Sequence, residues 1–144
     1  METKIKTNVQ EVVPFFAVSS MEESARFYTE GLGFEMKDKW VDDGQIRWCL
    51  LRCGGAGLML QEFRTEGHDS WVPQGKVGDG VSTYFMCEDA LEIYRQITAR
   101  GIESSKPTVS NGDWHTCLSD PDGYQIHFES DTEAPEGSEY EEEG

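Results

Sequence analysis

The 144-residue sequence is poor in basic side chains: 12 Lys and Arg stand against 28 Asp and Glu, for a formal charge of −16 and a pI near 4.4. A surface of that sign repels phosphate backbones and anionic headgroups, which excludes nucleic acid and acidic membranes as partners and leaves cationic ligands open. No apolar run approaches the ~20 residues that cross a bilayer. The opening METKIKTNVQ also has no apolar stretch of the kind a secretory signal needs. A cytoplasmic protein is the expectation. The four cysteines, Cys49, Cys53, Cys87 and Cys117, form no CxxC pair, so reduced thiols acting as small strand hydrophobes are expected, not a disulfide scaffold. GxSxG, P-loop, HExxH and GxGxxG are absent as well, which removes the usual signatures of nucleophilic serine, phosphate-cradling loops, zinc helices and dinucleotide folds.

The charge is uneven. Residues 131–144, DTEAPEGSEYEEEG, hold seven acids and no base, so this tail carries −7 and leaves −9 on the rest. With little apolar surface to offset the entropy of ordering, the tail is expected to be disordered, either as a solubilising segment or as a lure for a basic ligand.

An internal repeat organises residues 1–130. Trp48 and Gly57 are nine apart, Trp114 and Gly123 are nine apart, and the second pair follows the first by 66. The same offset sets Leu58-Met59-Leu60-Gln61 against Tyr124-Gln125-Ile126-His127. Upstream, FFAVSSMEESARFYTEGLGFE and TYFMCEDALEIYRQITARGIE share one design of strand, helix, glycine and strand. Ser19-Ser20 and Glu88-Asp89 read as helix N-caps, and Gly33 and Gly101 as helix stops. Met21, Ala25, Tyr28 and Leu32 share one helical face; Ala90, Ile93, Tyr94 and Ile97 share the other copy's. Strands are expected at 12–18, 34–40, 46–52 and 57–63, then at 81–87, 103–108, up to Leu118, and at 124–129. The fold class is α+β: tandem βαβββ modules at about 10–63 and 81–130, forming a cupped mixed sheet with helices on its outer face. Residues 64–80, which include Trp71 and His68, join the modules as a linker or lid.

Two βαβββ copies, with FYTEGLGF in the first and SDPDGYQIHF closing the second, resemble the vicinal oxygen chelate superfamily of glyoxalase I, extradiol dioxygenases, and fosfomycin and bleomycin resistance proteins. The resemblance covers roughly residues 10–130. In the metal enzymes of that family each module gives one ligand from its first strand and one from its last. Carried over, these positions fall at Val13 or Pro14, at Val81 or Ser82, and at Gln61 and His127. A catalytic metal wants about three N, O or S ligands, and this set offers two at best, so no metal or cofactor is expected. Glu62, beside Gln61, falls on the opposite face of its strand.

EVVPFFAVSSMEESARFYTEGLGF and DPDGYQIHF look most like the bleomycin resistance proteins. That resemblance implies a metal-free acidic homodimer sequestering a cationic drug in interface grooves, with strand exchange possible at Pro14. The positions of the family's drug-clamping aromatic pair align near Asp43 and Gly112, with Trp40 and Trp114 close by. The expected ligand contacts are Phe16, Trp40, Trp48, Met59, Gln61, Trp71, Tyr84, Trp114 and His127, with Asp42, Asp43 and Glu62 as counter-charges. Several have bland alternatives. Trp48 and Trp114 line the cup or pack the core, Trp71 is a lid or an interface residue, and His127 contacts ligand or only a neighbour on the sheet. The competing functional class is a metal-dependent enzyme, a glyoxalase-type lyase or isomerase or an extradiol dioxygenase.

Overall fold

The computed structural model describes residues 8–67 and 70–142; His68, the first seven residues and the last two lie outside them. β-Branched and aromatic residues form β1 (Phe15–Val18), and Ser20 ends the strand by accepting the Glu23 amide as N-cap of α1 (Met21–Arg26). The helix widens into a π turn over Phe27–Gly31, which periodicity does not foresee. Gly33, at φ 85°, then reverses the chain. β2 (Glu35–Asp42), β3 (Gln45–Cys53) and β4 (Ala56–Glu62) complete the first module.

The second module repeats the plan with β5 (Ser82–Met86), α2 (Ala90–Ala99, capped by Asp89), β6 (Thr108–Ser110), β7 (Asp113–Ser119) and β8 (Gln125–Asp131). β6 therefore begins at the last residue of the expected 103–108. Residues before it reach β7 through single bonds, such as the Ser105 amide to the Cys117 carbonyl at 2.8 Å, without forming a ladder.

Each module builds a four-stranded mixed sheet of the same topology, β1-β4-β3-β2 and β5-β8-β7-β6. The first and last strands pair in parallel, as a βαβ crossover requires. One face of each sheet is buried. Val18, Leu51, Leu58, Leu60 and Ile126, all fully buried, belong to a single cluster that draws on both modules. At about 1.5–3 kcal/mol for each such side chain, that shared layer is what makes one unit of two small modules.

The turn 120–123 locks the modules together. Tyr28 donates to the Asp120 carboxylate at 2.7 Å, and the Ser19 amide donates to Asp122 at 3.2 Å. Tyr124 stacks on Phe16 at 4.0 Å while its hydroxyl donates to the Ala17 carbonyl.

The acidic tail corrects the expectation of disorder, at least through Glu142. It runs back along the free edge of β6: the Val109 amide donates to the Ser138 carbonyl, the Gly137 amide to Val109, and the Tyr140 amide to Pro107. Tyr140 packs edge-on to Tyr94 of α2 at 5.5 Å. Composition argues against a hydrophobic anchor, but an open strand edge supplies backbone partners whatever the side chains.

Candidate functional site

The second face of each sheet is left open, and strand alternation decides what stands on it. In the first sheet Trp40 pairs with Trp48, Trp48 with Gln61, and Gln61 with Ala17, one row across four strands. Phe15 and Met59 form the next row. Trp40 is 51% exposed and Phe15 53%. The Arg64 guanidinium lies 5.8 Å over the Trp40 ring and is ion-paired to Asp42 at 3.1 Å. Trp71, from the connecting segment, packs edge-on to Phe63 at 6.0 Å just past the end of β4.

In the second sheet Tyr84 pairs with His127, and His127 with Cys117. The Tyr84 and His127 rings are parallel at 4.1 Å. His127 Nδ1 lies 2.7 Å from His115 Nε2, so one proton sits between the two imidazoles. Burial and the His115 charge hold His127 below the ordinary imidazole value, opposed by Glu129. Asp113 is pushed up by its hydrogen bond to Asp131, which faces it across the ladder, by slight burial and by Glu129. This open face is therefore aromatic in one corner and acidic in another.

Of the nine expected contacts, Trp40, Trp48, Met59 and Gln61 thus share one open face, Tyr84 and His127 share the other, Trp71 lies on the connecting segment against Phe63, and two stand on covered faces. Phe16 is buried on the covered face against Tyr124; its neighbour Phe15 takes the open side. Trp114 is also on the covered face, packed against the core. The 66-residue offset misleads here because the turn between β3 and β4 spans residues 54–55, whereas that between β7 and β8 spans 120–124. Three extra residues slide β7 by an odd number, and an odd slide reverses every side chain. The true partner of Trp48 is Cys117, which sits opposite His127 as Trp48 sits opposite Gln61.

Glu62 is no counter-charge either. It accepts the Met21 amide at 2.8 Å and binds Arg47 at 2.6 Å beneath the sheet. In the second sheet the open-face carboxylates are Asp113, Glu129 and Asp131, and in the first sheet Asp38 pairs with Leu50 in the row of Met59 and Phe15. His115 shows no local ligand pairing in the sequence and Cys117 reads there as a small strand hydrophobe, because their partner lies 12 and 10 residues away, a spacing set by the turn and not by any local motif.

The sequence profile of the Glyoxalase/Bleomycin resistance protein/Dioxygenase superfamily matches residues 10–128. The chain belongs to this superfamily. No curated protein matches its sequence. Among solved structures, it is similar to TnmS3, an antibiotic binding protein from Streptomyces sp. CB03234, at 21% identity and TM-score 0.68, covering 87% of this chain and 98% of that one. TioX from Micromonospora sp. ML1 is similar at 17% identity and TM-score 0.67, with coverage of 85% and 100%. A bleomycin-binding protein solved with bleomycin is similar at 22% identity and TM-score 0.64, with coverage of 86% and 100%. These likenesses establish the shared fold.

Superfamily members that use a metal take one ligand from each first and last strand. The register moves the first-strand positions from Val13, Pro14, Val81 and Ser82 to Ala17 and Tyr84, the residues that face Gln61 and His127. Ala17 has no donor atom, Gln61 offers only a neutral amide, and Tyr84 lies flat against His127. Among the described residues no three His, Cys, Asp or Glu side chains converge on a point. This donor set does not fit a divalent ion.

Proposed function

We propose that this superfamily member binds a small, cationic or aromatic drug-like molecule without a metal, sequestering it in a groove between two copies of the chain. The observation that carries this reading is the pair of open sheet faces, one with Trp40, Trp48 and Gln61 in a row, the other with Tyr84 and His127 beside Asp113 and Glu129. Large aromatic side chains half in water are costly unless a ligand or partner covers them. Phe15, Trp40, Tyr84 and Met86, from 50% to 69% exposed, supply apolar surface for both purposes. The indoles offer flat faces for stacking, and the charge of −16 attracts a cation from a distance.

The antibiotic-binding proteins of the same fold support a small-molecule ligand of this kind. The competing enzyme reading would need a metal that Ala17, Gln61, Tyr84 and His127 are ill suited to hold. Intrinsic tryptophan fluorescence tests the proposal: bleomycin or another cationic aromatic drug should quench it saturably. A flat response across a panel of such drugs overturns it.

A further inference from the structure

The open face of the second sheet carries a set of groups that ligand stacking alone does not use. Cys117 Sγ is 3.9 Å from His127 Nε2, and the other nitrogen of that ring is 2.7 Å from His115 Nε2. His115 and Cys117 alternate along β7, and His127 on β8 stands opposite Cys117 and diagonal to His115 across the ladder, so the sheet itself fixes their order. The geometry points to a thiol nucleophile, Cys117, served by His127 as base and by His115 as positioning residue, for covalent capture of electrophilic ligands such as α,β-unsaturated carbonyl compounds. This goes beyond reversible binding.

The arrangement has the parts such a step needs. Burial pushes the Cys117 thiol up, so it rests protonated and requires a base. His127 is held neutral near pH 7 by burial and by His115. A proton on Nδ1, donated to His115 Nε2, leaves the Nε2 lone pair of His127 facing the sulfur, the tautomer a base must have. When His127 takes the thiol proton, the imidazolium is stabilised by the Tyr84 ring stacked at 4.1 Å and by Glu129, opposite His115 in the ladder. Asp113 and Asp131 add negative charge at the end of the same ladder, and Gln125 Oε1, 3.6 Å from Cys117 Sγ, is the alternative acceptor for the resting thiol.

In the reaction the thiolate adds to the β-carbon and a C–S bond forms. The C=C π pair moves onto the α-carbon and carbonyl, and the enolate then takes back the proton from His127 Nε2. S–H has been added across C=C, and nothing is oxidised or reduced. Among the described residues no other cysteine has a histidine partner: Cys49 is buried, with its thiol pushed up to about 11, Cys87 donates to the Phe85 carbonyl, and Cys53 is exposed and serves as an internal reference.

N-ethylmaleimide labelling of the full chain, resolved by peptide mass spectrometry, tests the assignment without any drug, so this inference and the binding reading can fail separately. At pH 6, Cys117 is expected to react at least about tenfold faster than Cys53 despite being less exposed, because an unassisted thiol loses about tenfold in reactivity per pH unit below its pKa. His127→Gln should abolish the advantage and leave the Cys53 rate unchanged. His115→Gln should lower it and shift the pH at which it appears. If Cys117 falls with pH in parallel with Cys53 in the wild-type chain, or keeps its rate in His127→Gln, the assignment is overturned. The wild-type profile decides the matter alone if a variant does not fold.

Discussion

Tyr28 and Asp120, 92 residues apart, meet in a buried 2.7 Å hydrogen bond that joins the first helix to the last turn. Asp120 also accepts the amides of Asp122 and Tyr124 through its other oxygen, so the bond holds β8, and with it His127, against the first module. Tyr28→Phe removes the donor and leaves a buried carboxylate oxygen unpartnered, which should cost about 1.5–3 kcal/mol in urea unfolding. An unchanged midpoint would show that the modules hold together by apolar contact alone.

The opposite placement of Trp40 and Trp114 separates binding from stability. Trp40→Ala, on the open face, should weaken binding of an aromatic drug about five- to tenfold, the loss of one stacked ring at about 1–1.5 kcal/mol, with little change in melting temperature. Trp114→Ala empties part of the covered layer and should cost roughly 2–4 kcal/mol of stability, below the full range for an entirely buried tryptophan. Drug titration and thermal melting of the two variants check both halves.

His127 supplies a pH dependence whose sign is fixed. Its folded-state pKa lies below 6.5, first through burial and then through His115. The folded state therefore favours the neutral ring, and the stability this contributes is present above pH 6.5 and lost as pH falls through the depressed value. NMR titration should find His127 below 6.5, and His115→Gln should move it upward. An unshifted resonance in that variant would mean that the two rings do not share a proton.

The ordered tail is testable by hydrogen exchange. The Gly137 and Tyr140 amides, bonded to Val109 and Pro107, should exchange well below random-coil rates, and truncation after Asp131 should deprotect Val109 as well. Coil-like exchange at Gly137 and Tyr140 would restore the disordered reading.

What the sequence reveals and conceals follows from periodicity. The two helices, their Ser20 and Asp89 caps and the equivalence of Gln61 with His127 were legible because caps and last strands occupy the same places in both modules. Trp114 was not, because a three-residue difference in turn length is invisible to a matching nine-residue spacing yet reverses a strand's faces. Phe16 could not be told from Phe15, since two adjacent aromatics on a strand look alike until the covering layer selects one. The tail defeated composition because its anchoring is by backbone to a strand edge, and Cys117, His127 and His115 assemble only once that longer turn sets the ladder's register.

Calorimetric titration of bleomycin into EDTA-treated protein tests the central claim most directly. Metal-free binding on the open faces predicts a saturable isotherm unchanged by the chelator and weakened by Trp40→Ala. No heat of binding, or heat that returns only when a divalent ion is restored, would contradict it.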